Sequence, residues 1–464
     1  PLVVIFSMRS PDSREGQKLA RVLLVQPWIH DFAAYDFWIK PLGLLRLGAF
    51  LRRHDVEVFL LDLLDPHHPA LKGEKLRRTP LDRGALPKQE IPKPPELSWF
   101  PRRYHRYGIP PSLAQEEIKK IPPPDAVLVT SGMTYWYPGV RETISFCRRF
   151  FPDAPIILGG IYATLLPEHA LEVTGADLVI PGGEPGTIQR ELSRILPLGE
   201  PKEEPFPPPA WDIARGHRSI AVKTSEGCPF RCSYCASRLL SPRHTLRPVQ
   251  EVVEEITHSL KLLGAEDVAF YDDALLFNAE SHILPILRGL SSLGPIRIHC
   301  PNGLHARYID PEMAKELRHH GFYTIRLGLE SSNPSFHSQM DSKLTIEEFR
   351  LAVESLMEAG YKGRDIGVYI LAGLPGQTIE DLENTVRFVL DLGLRPHLAE
   401  YSPIPGTDLW EEAKEASPFP ISQEPLFHNN TLLPCRGKRL SYEEFMSLKA
   451  KLHRALDGGL GGRP

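Results

Sequence analysis

Cysteine is scarce: six residues in 464, too few and too unevenly placed for a disulfide framework. Three of them, Cys228, Cys232 and Cys235, crowd together, while Cys147, Cys300 and Cys435 lie far apart. A tight thiol group of this kind reads as a metal or redox site. No apolar run approaches the roughly 18 residues of a membrane helix, so no membrane span is expected. The apolar opening, residues 1–8, has neither the charged start nor the cleavage site of a secretory signal. Met8 is a candidate initiator, and a cytoplasmic chain is expected. Charge of one sign is not in excess: 54 basic against 58 acidic side chains leave a net −4. That excludes bulk electrostatic capture of a polyanion, and nucleic acid is not expected as a partner.

Proline, by contrast, is abundant at 46 residues, about twice its usual share, so long stretches must be loops or linkers. Five apolar runs, 21–27, 56–64, 125–132, 155–160 and 176–183, alternate with helical spacing over 42–53, 139–151 and 184–196. This predicts an α/β domain over 21–196, a doubly wound, flavodoxin-like or Rossmann-like parallel sheet whose ligand sits beyond the carboxyl ends of the strands. Gly132, Gly159, Gly160, Gly182 and Gly183 close those strands. A missing Cβ there lets backbone approach a flat ligand, although glycine also simply ends strands. Residues 1–20 read as an N-terminal extension and 197–218 as a linker stiffened by Pro205, Pro207, Pro208 and Pro209. The proline-rich stretch 66–124 is an insertion. Within it, the basic and aromatic run 102–107 either stacks on a nucleotide tail or forms a solvated turn.

From residue 219, strands at 220–226, 267–273, 297–302, 324–330, 365–372 and 397–402 alternate with helices at 250–263, 283–293, 311–320, 346–359, 379–392 and 408–416. Thr345 with Glu348 makes a capping box, Pro311 follows a capping Asp310, and Gly264, Gly321 and Gly360 stand at helix stops. The pattern predicts a partial (βα)6 TIM-like barrel over 219–416, with chemistry at the carboxyl ends of its strands. Residues 417–464 form a C-terminal extension with one helix, capped by Ser441 and Glu444.

The first barrel strand runs into Cys228-Pro229-Phe230-Arg231-Cys232-Ser233-Tyr234-Cys235. Three thiolates leave one position open, which in a [4Fe-4S] cube means one iron free for another ligand. Structural zinc takes four closed ligands, and no fourth Cys or His stands at matching spacing. The CxxxCxxC loop resembles that of the radical S-adenosylmethionine superfamily, and the resemblance covers about 219–415. It implies a [4Fe-4S] cluster on Cys228, Cys232 and Cys235, with S-adenosylmethionine chelated by the open iron. An electron donor such as flavodoxin or ferredoxin and a 5'-deoxyadenosyl radical follow from the same resemblance. So do contacts to S-adenosylmethionine: Tyr234, Ile370 and Gly373 to adenine, Asp272 or Asp273 to the ammonium, Glu330 to the ribose. Each carboxylate is equally compatible with an ordinary cap or ion pair.

The leading domain is similar to the cobalamin-binding domain of one branch of that superfamily. Leu42, Gly43, Thr130, Ser131, Gly132, Gly159, Gly160, Tyr162, Ala163, Gly183 and Glu184 carry the match. Tyr135, following Met133 and Thr134 and leading into Trp136 and Tyr137, either covers a corrin face or belongs to an aromatic core patch. The Asp-x-His-x-x-Gly signature is missing. Its near miss at 65–70 follows the second strand and ends in alanine, so cobalamin is expected without a histidine on cobalt. The resemblance implies a methyltransferase acting on an unactivated carbon through the 5'-deoxyadenosyl radical and methylcobalamin. Oxidation, cyclisation or rearrangement without methyl transfer is the alternative, and a non-catalytic cobalamin or metal sensor a further one. A methylthiotransferase needs a second cluster in the leading domain, where only Cys147 is available. The substrate is not encoded; a small molecule or peptide side chain is favoured.

Cys300 either faces the barrel interior as a hydrogen-donor thiol or is a buried small hydrophobe. Cys435 either approaches the cluster or is an ordinary residue of the tail. His428, Asn429 and Asn430 either line the substrate cavity or form a surface loop.

Overall fold

Strands β1 (Arg21–Gln26), β2 (Glu57–Asp62), β3 (Ala126–Val129), β4 (Ile156–Leu158) and β5 (Leu178–Val179) form one sheet in the order β5-β4-β3-β1-β2. Every pairing is parallel. Val22, Leu23, Leu24, Val25 and Val127 are fully buried, as a sheet covered by helices on both faces demands. This is the flavodoxin-like order. Its reversal between β1 and β3 opens a crevice at their carboxyl ends. The computed structural model describes residues 19–72, 76–200, 207–214, 216–340, 343–437 and 439–458. Most of the expected N-terminal extension, Pro205 of the linker and the last six residues lie outside the described residues.

The insertion is organised by antiparallel pairing. Ile29–Asp31 pairs with His105–Tyr107, which also pairs with Lys88–Glu90, and Tyr35–Asp36 pairs with Gly84–Ala85. The 102–107 run is therefore neither a nucleotide platform nor a solvated turn. Tyr104 and Tyr107 are buried, and their hydroxyls donate to His30 O (3.1 Å) and Phe32 O (3.3 Å). Arg106 bonds Glu142 at 2.9 Å.

The second sheet holds β6 (Ser219–Val222), β7 (Asp267–Phe270), β8 (Arg297–His299), β9 (Phe322–Glu330), β10 (Ile366–Ala372) and β11 (Arg395–Glu400), adjacent in chain order. All pairings are parallel, so this is the partial barrel. The Thr345 capping box is present, Asp310 accepts from Met313 N at 2.7 Å, and Gly264 ends its helix at φ +60°. A second box, Thr378 with Asp381, was not foreseen because the motif carries Asp where Glu is usual.

Ile220, Val222, Val268, Ile325, Leu327, Val368 and Ile370 form one core with helix residues such as Val252, Ile256 and Leu356. Leu42, Leu45 and Trp211 join it. Helix Leu42–Arg53 and the described end of the linker are thus packed on the barrel. Ala210 N donates to Leu45 O at 3.1 Å, and Arg52 grips Asp212 at 2.7 Å. The C-terminal extension returns to the leading domain. Thr134 Oγ1 lies 2.8 Å from His428 Nδ1, and Asn429 Nδ2 donates to Asp31 Oδ1 at 2.8 Å. His428 and Asn429 are buried, which corrects the surface-loop expectation for both. No described helix is long and apolar enough to cross a membrane.

Candidate active site at the barrel mouth

The cysteine loop leaves β6 through Thr224 and Ser225, and Asp272 fixes both. This buried carboxylate accepts from Thr224 N (3.0 Å) and Oγ1 (2.9 Å) and from Ser225 N (2.7 Å) and Oγ (2.6 Å). The four bonds converge on Oδ1, with Oδ2 sharing only Thr224 N at 3.1 Å, so Asp272 positions the start of the cysteine loop. Gly227 takes φ +70°, and a Cβ there would stand 2.4 Å from Arg243 O, so only glycine fits the turn. Phe230, between the first two cysteines, stacks on His305 (4.4 Å, 21°), meets Phe277 edge-on and lies tilted against Tyr308. Ser233 N donates to Met340 O and Leu409 N to Ser233 O, each at 2.9 Å. Four other barrel units thus pin the loop.

Burial pushes the Cys228 thiol up to about 11, and the nearby Asp273, Cys235 and Cys232 add to the rise. A cationic centre is what such a thiol needs to ionise. Ser237 N–H points at Cys235 Sγ from 3.5 Å. Among the described residues only His67, Asp82 and His217 bring three donor atoms within 4.8 Å of one another. The three cysteine sulfurs do not form such a compact set. The compact His67–Asp82–His217 set already has its cation: Lys40 Nζ lies 2.9 Å from Asp82 Oδ2 and 3.1 Å from His217 Nδ1.

Asp273 is the second carboxylate of the pair, and its charge is felt at the Cys228 thiol. Burial raises its pKa and Lys223 opposes the rise; Asn302 Nδ2 stands 3.5 Å from Oδ1. Glu330 closes β9 at a register shift after Gly328, with φ +63°, a strained conformation for a side-chain-bearing residue. Lys343 Nζ donates to Glu330 Oε1 (3.1 Å) and to the Tyr234 hydroxyl (3.0 Å), joining the cysteine loop to the fourth strand end. Gly373, at φ +87°, gives its N–H to Gln377 Oε1 at 2.7 Å, and a Cβ there would meet Leu433 at 2.9 Å. Ile370 departs from expectation: its side chain is fully buried in the helix-facing core, leaving Tyr369 and Leu371 on the other face. Lys343, Asn302 and the Phe230–His305 clamp were missed because nothing local marks them.

Across the mouth stands the glycine crest of the leading domain. Ser131 Oγ donates to Gly159 O at 2.6 Å and receives Ala163 N at 3.2 Å. Gly160 takes φ +93°, and a Cβ would lie 2.5 Å from both Ser131 N and O. Thr130 Oγ1 is 2.8 Å from the same point, and Gly132 lies under the Trp136 ring. Gly43 and Gly183 face open space, and Glu184 is an exposed N-cap. The large side chains of the match are not on that surface. Leu42, Tyr135, Tyr162 and Ala163 are 6%, 3%, 0% and 0% exposed. Leu42 packs on the barrel, Tyr162 meets His169 Nδ1 at 2.6 Å, and Tyr135 is buried edge-on to Trp136 with ring centres 6.0 Å apart. Met133 and Ile161 are the exposed apolar residues there. Helix Ile161–Leu165 packs against Ser237–Leu240, the helix just after Cys235, so crest and thiol loop border one space.

The remaining candidates are occupied elsewhere. His67 Nε2 faces Asp82 Oδ1 at 2.6 Å, and His68 Nε2 faces Glu117 at 3.3 Å. Cys300 lies in the helix-facing core, and Cys435 is buried beside Ala413 O, with burial pushing its thiol up to about 12.

Residues 222–389 match the model of the Radical SAM superfamily. The chain is 27% identical over 332 residues to an uncharacterised methyltransferase of Pyrococcus horikoshii, spanning 64% of this chain and 70% of the relative. It is 25% identical over 350 residues to the anaerobic magnesium-protoporphyrin IX monomethyl ester cyclase of Cereibacter sphaeroides, spanning 65% of this chain but only 55% of the relative. Its fold resembles TsrM of Kitasatospora setae, a radical S-adenosylmethionine methyltransferase solved with cobalamin and a [4Fe-4S] cluster. There the TM-score is 0.60 at 20% identity, over 87% of this chain and 76% of that one. OxsB, a cobalamin-dependent S-adenosylmethionine radical enzyme, aligns with TM-score 0.55 at 15% identity, over 95% and 62%.

Proposed function

We propose, on the match of residues 222–389 to the Radical SAM superfamily model, that the chain is a cobalamin-dependent radical S-adenosylmethionine methyltransferase acting on an unactivated carbon. Residues 219–416 are its radical SAM barrel and 21–196 its cobalamin domain. The observation that carries this reading is the shared space: the three thiols and the carboxylates of Asp273 and Glu330 on one side, the glycine crest on the other, joined where helix Ile161–Leu165 packs on the helix after Cys235. When bound, the cluster supplies the electron that cleaves S-adenosylmethionine, and cobalamin supplies the transferred methyl group.

The chain's own residues hold and shield. Cys228, Cys232 and Cys235 anchor the cluster, and Asp272 and the Phe230–His305 stack fix the loop that presents them. Asp273 takes the ammonium of S-adenosylmethionine and Glu330 its ribose hydroxyls, with Lys343 fixing the Glu330 carboxylate. Gly43 and Gly183 let the corrin rest on backbone, Gly160 holds the crest against Ser131, and Met133 and Ile161 offer apolar contact. An electron donor of the flavodoxin or ferredoxin type and a reducing cytoplasm suit the free thiols. The substrate is a small molecule or a peptide side chain.

Anaerobic protein reconstituted with iron, sulfide and hydroxocobalamin, then given S-adenosylmethionine and dithionite, is expected to release 5'-deoxyadenosine. Cys232→Ala is expected to release none. Absence of 5'-deoxyadenosine from the intact protein contradicts the reading and leaves a cofactor-binding sensor. The likeness to the anaerobic cyclase supports a second reading, in which both cofactors serve a reaction without methyl transfer. A product heavier by one methylene decides for the first.

A further inference from the structure

Beneath the mouth, β9, β10 and β11 carry cations that the proposed chemistry leaves unused. Arg326, Gly367 and Arg395 are register neighbours on the three strands. Gly367, with no side chain of its own, lets those of Arg326 and His397 lie over it: a Cβ there would stand 2.7 Å from Arg326 Cδ and Nη1 and 2.8 Å from His397 Cδ2. Arg83 reaches the same place from the insertion, its guanidinium 5.3 Å from the Trp38 ring, and Trp38 itself stacks on His299 at 4.3 Å. Tyr369, whose hydroxyl donates to Pro301 O at 2.9 Å, flanks the group.

None of the three arginines has an acidic partner among the described residues. The nearby acids are engaged: Asp267 with Arg297 and His299, Asp36 with Arg78, Glu330 with Lys343. Arg83 Nε and His397 Nε2 are buried and lack any hydrogen-bond partner. Burial holds the Arg326 guanidinium below its ordinary range, and Arg83 and Arg395 push the same way. Burial likewise pulls His397 down to about 3, with Arg326, Arg395 and Arg83 adding to the fall. Arg83 and Arg326 are half-buried and Arg395 stands exposed at the start of β11; withdrawing cations from water without a counter-charge is costly, and an anion among them removes that cost.

We propose that Arg83, Arg326 and Arg395, with His397 and Tyr369, form an anion site at the barrel floor that takes a carboxylate or phosphate group of the substrate. That the anion belongs to the substrate rests on the function proposed above; the anion site stands on these residues alone. Arginine forks match either group bidentately. Glu330 lies four residues beyond Arg326 on β9, about 13 Å at strand spacing. A ligand anchored by its anion therefore presents an atom to the radical at the mouth only if it is extended, of that order in length.

The test is calorimetric titration of the full chain with inorganic phosphate and, separately, with acetate. Millimolar binding of at least one is expected, kept when Cys228, Cys232 and Cys235 are all serine, so that failure of the cluster chemistry does not disturb it. Arg326→Gln is expected to weaken binding at least tenfold and Arg395→Gln several-fold, while Arg103→Gln on the exposed insertion changes nothing. Without anion, Arg326→Met is expected to melt no lower than the parent; an arginine of merely structural role would lower the melting temperature. Equal binding by the parent and Arg326→Gln, or no binding of either anion by the parent, overturns the site. An anion site present in a protein that releases no 5'-deoxyadenosine overturns instead the function on which the substrate assignment rests.

Discussion

Asp272 accepts both the N–H and the O–H of Ser225, at 2.7 and 2.6 Å, while the charge of its neighbour Asp273 is felt at the Cys228 thiol. Two adjacent, chemically identical residues thus stand in different surroundings, and the proposed function gives Asp272 the support and Asp273 the ligand. Asp272→Ala, leaving four buried donors unmet, is expected to lower stability by about 2–4 kcal/mol and to lower the iron retained after reconstitution. Asp273→Asn is expected to retain iron and to weaken S-adenosylmethionine binding about tenfold, the loss of one charge-assisted bond. Iron assay with equilibrium binding of S-adenosylmethionine separates the two.

Glu330 and Lys343 are both buried and paired at 3.1 Å. Either single change, Glu330→Gln or Lys343→Met, is expected to lose about 3 kcal/mol because it strands a buried charge. The double variant is expected to recover more than half of that in urea unfolding, yet to bind S-adenosylmethionine no better than Glu330→Gln alone.

The crest separates fold from function. Gly160→Ala places a Cβ 2.5 Å from Ser131 backbone at φ +93° and is expected to lose about 2 kcal/mol or more. Gly183 has open space around it and no positive φ. Gly183→Leu is expected to leave the melting temperature unchanged while reducing retained cobalamin, read from its visible absorption.

Burial holds His428 at about 4, against 6.5 when unhindered. Between those values the unfolded chain binds a proton that the folded chain does not, so unfolding takes up protons. Stability contributed above pH 6.5 is therefore lost as pH falls towards 4, with a slope of about 1.4 kcal/mol per pH unit from this group. Urea unfolding of the parent and His428→Gln at pH 7, 6 and 5 is expected to show a shallower fall for the variant.

Much of this architecture is written locally. Apolar runs such as Val22–Val25 and caps such as Thr345 with Glu348 depend on neighbours a few residues away, and the thiol loop lies within eight residues. What was illegible is joined over long separations. Thr134 meets His428 across 294 positions and Tyr234 meets Lys343 across 109; no local pattern marks either pair. Tyr162 carries the match to a cobalamin-binding domain in sequence, yet its side chain is fully buried in the leading domain's core. The Asp272–Asp273 pair was ambiguous for a third reason: which way a side chain points at a strand end depends on where the strand stops.

The measurement that bears most directly on the whole account is electron paramagnetic resonance of the anaerobically reconstituted, dithionite-reduced protein, recorded before and after S-adenosylmethionine is added. The account predicts about four irons per chain, the signal of a reduced [4Fe-4S] cluster, and a change in that signal on addition, because one iron has no protein ligand. A reduced cluster whose signal is indifferent to S-adenosylmethionine, or a chain that retains no cluster after reconstitution, would contradict it.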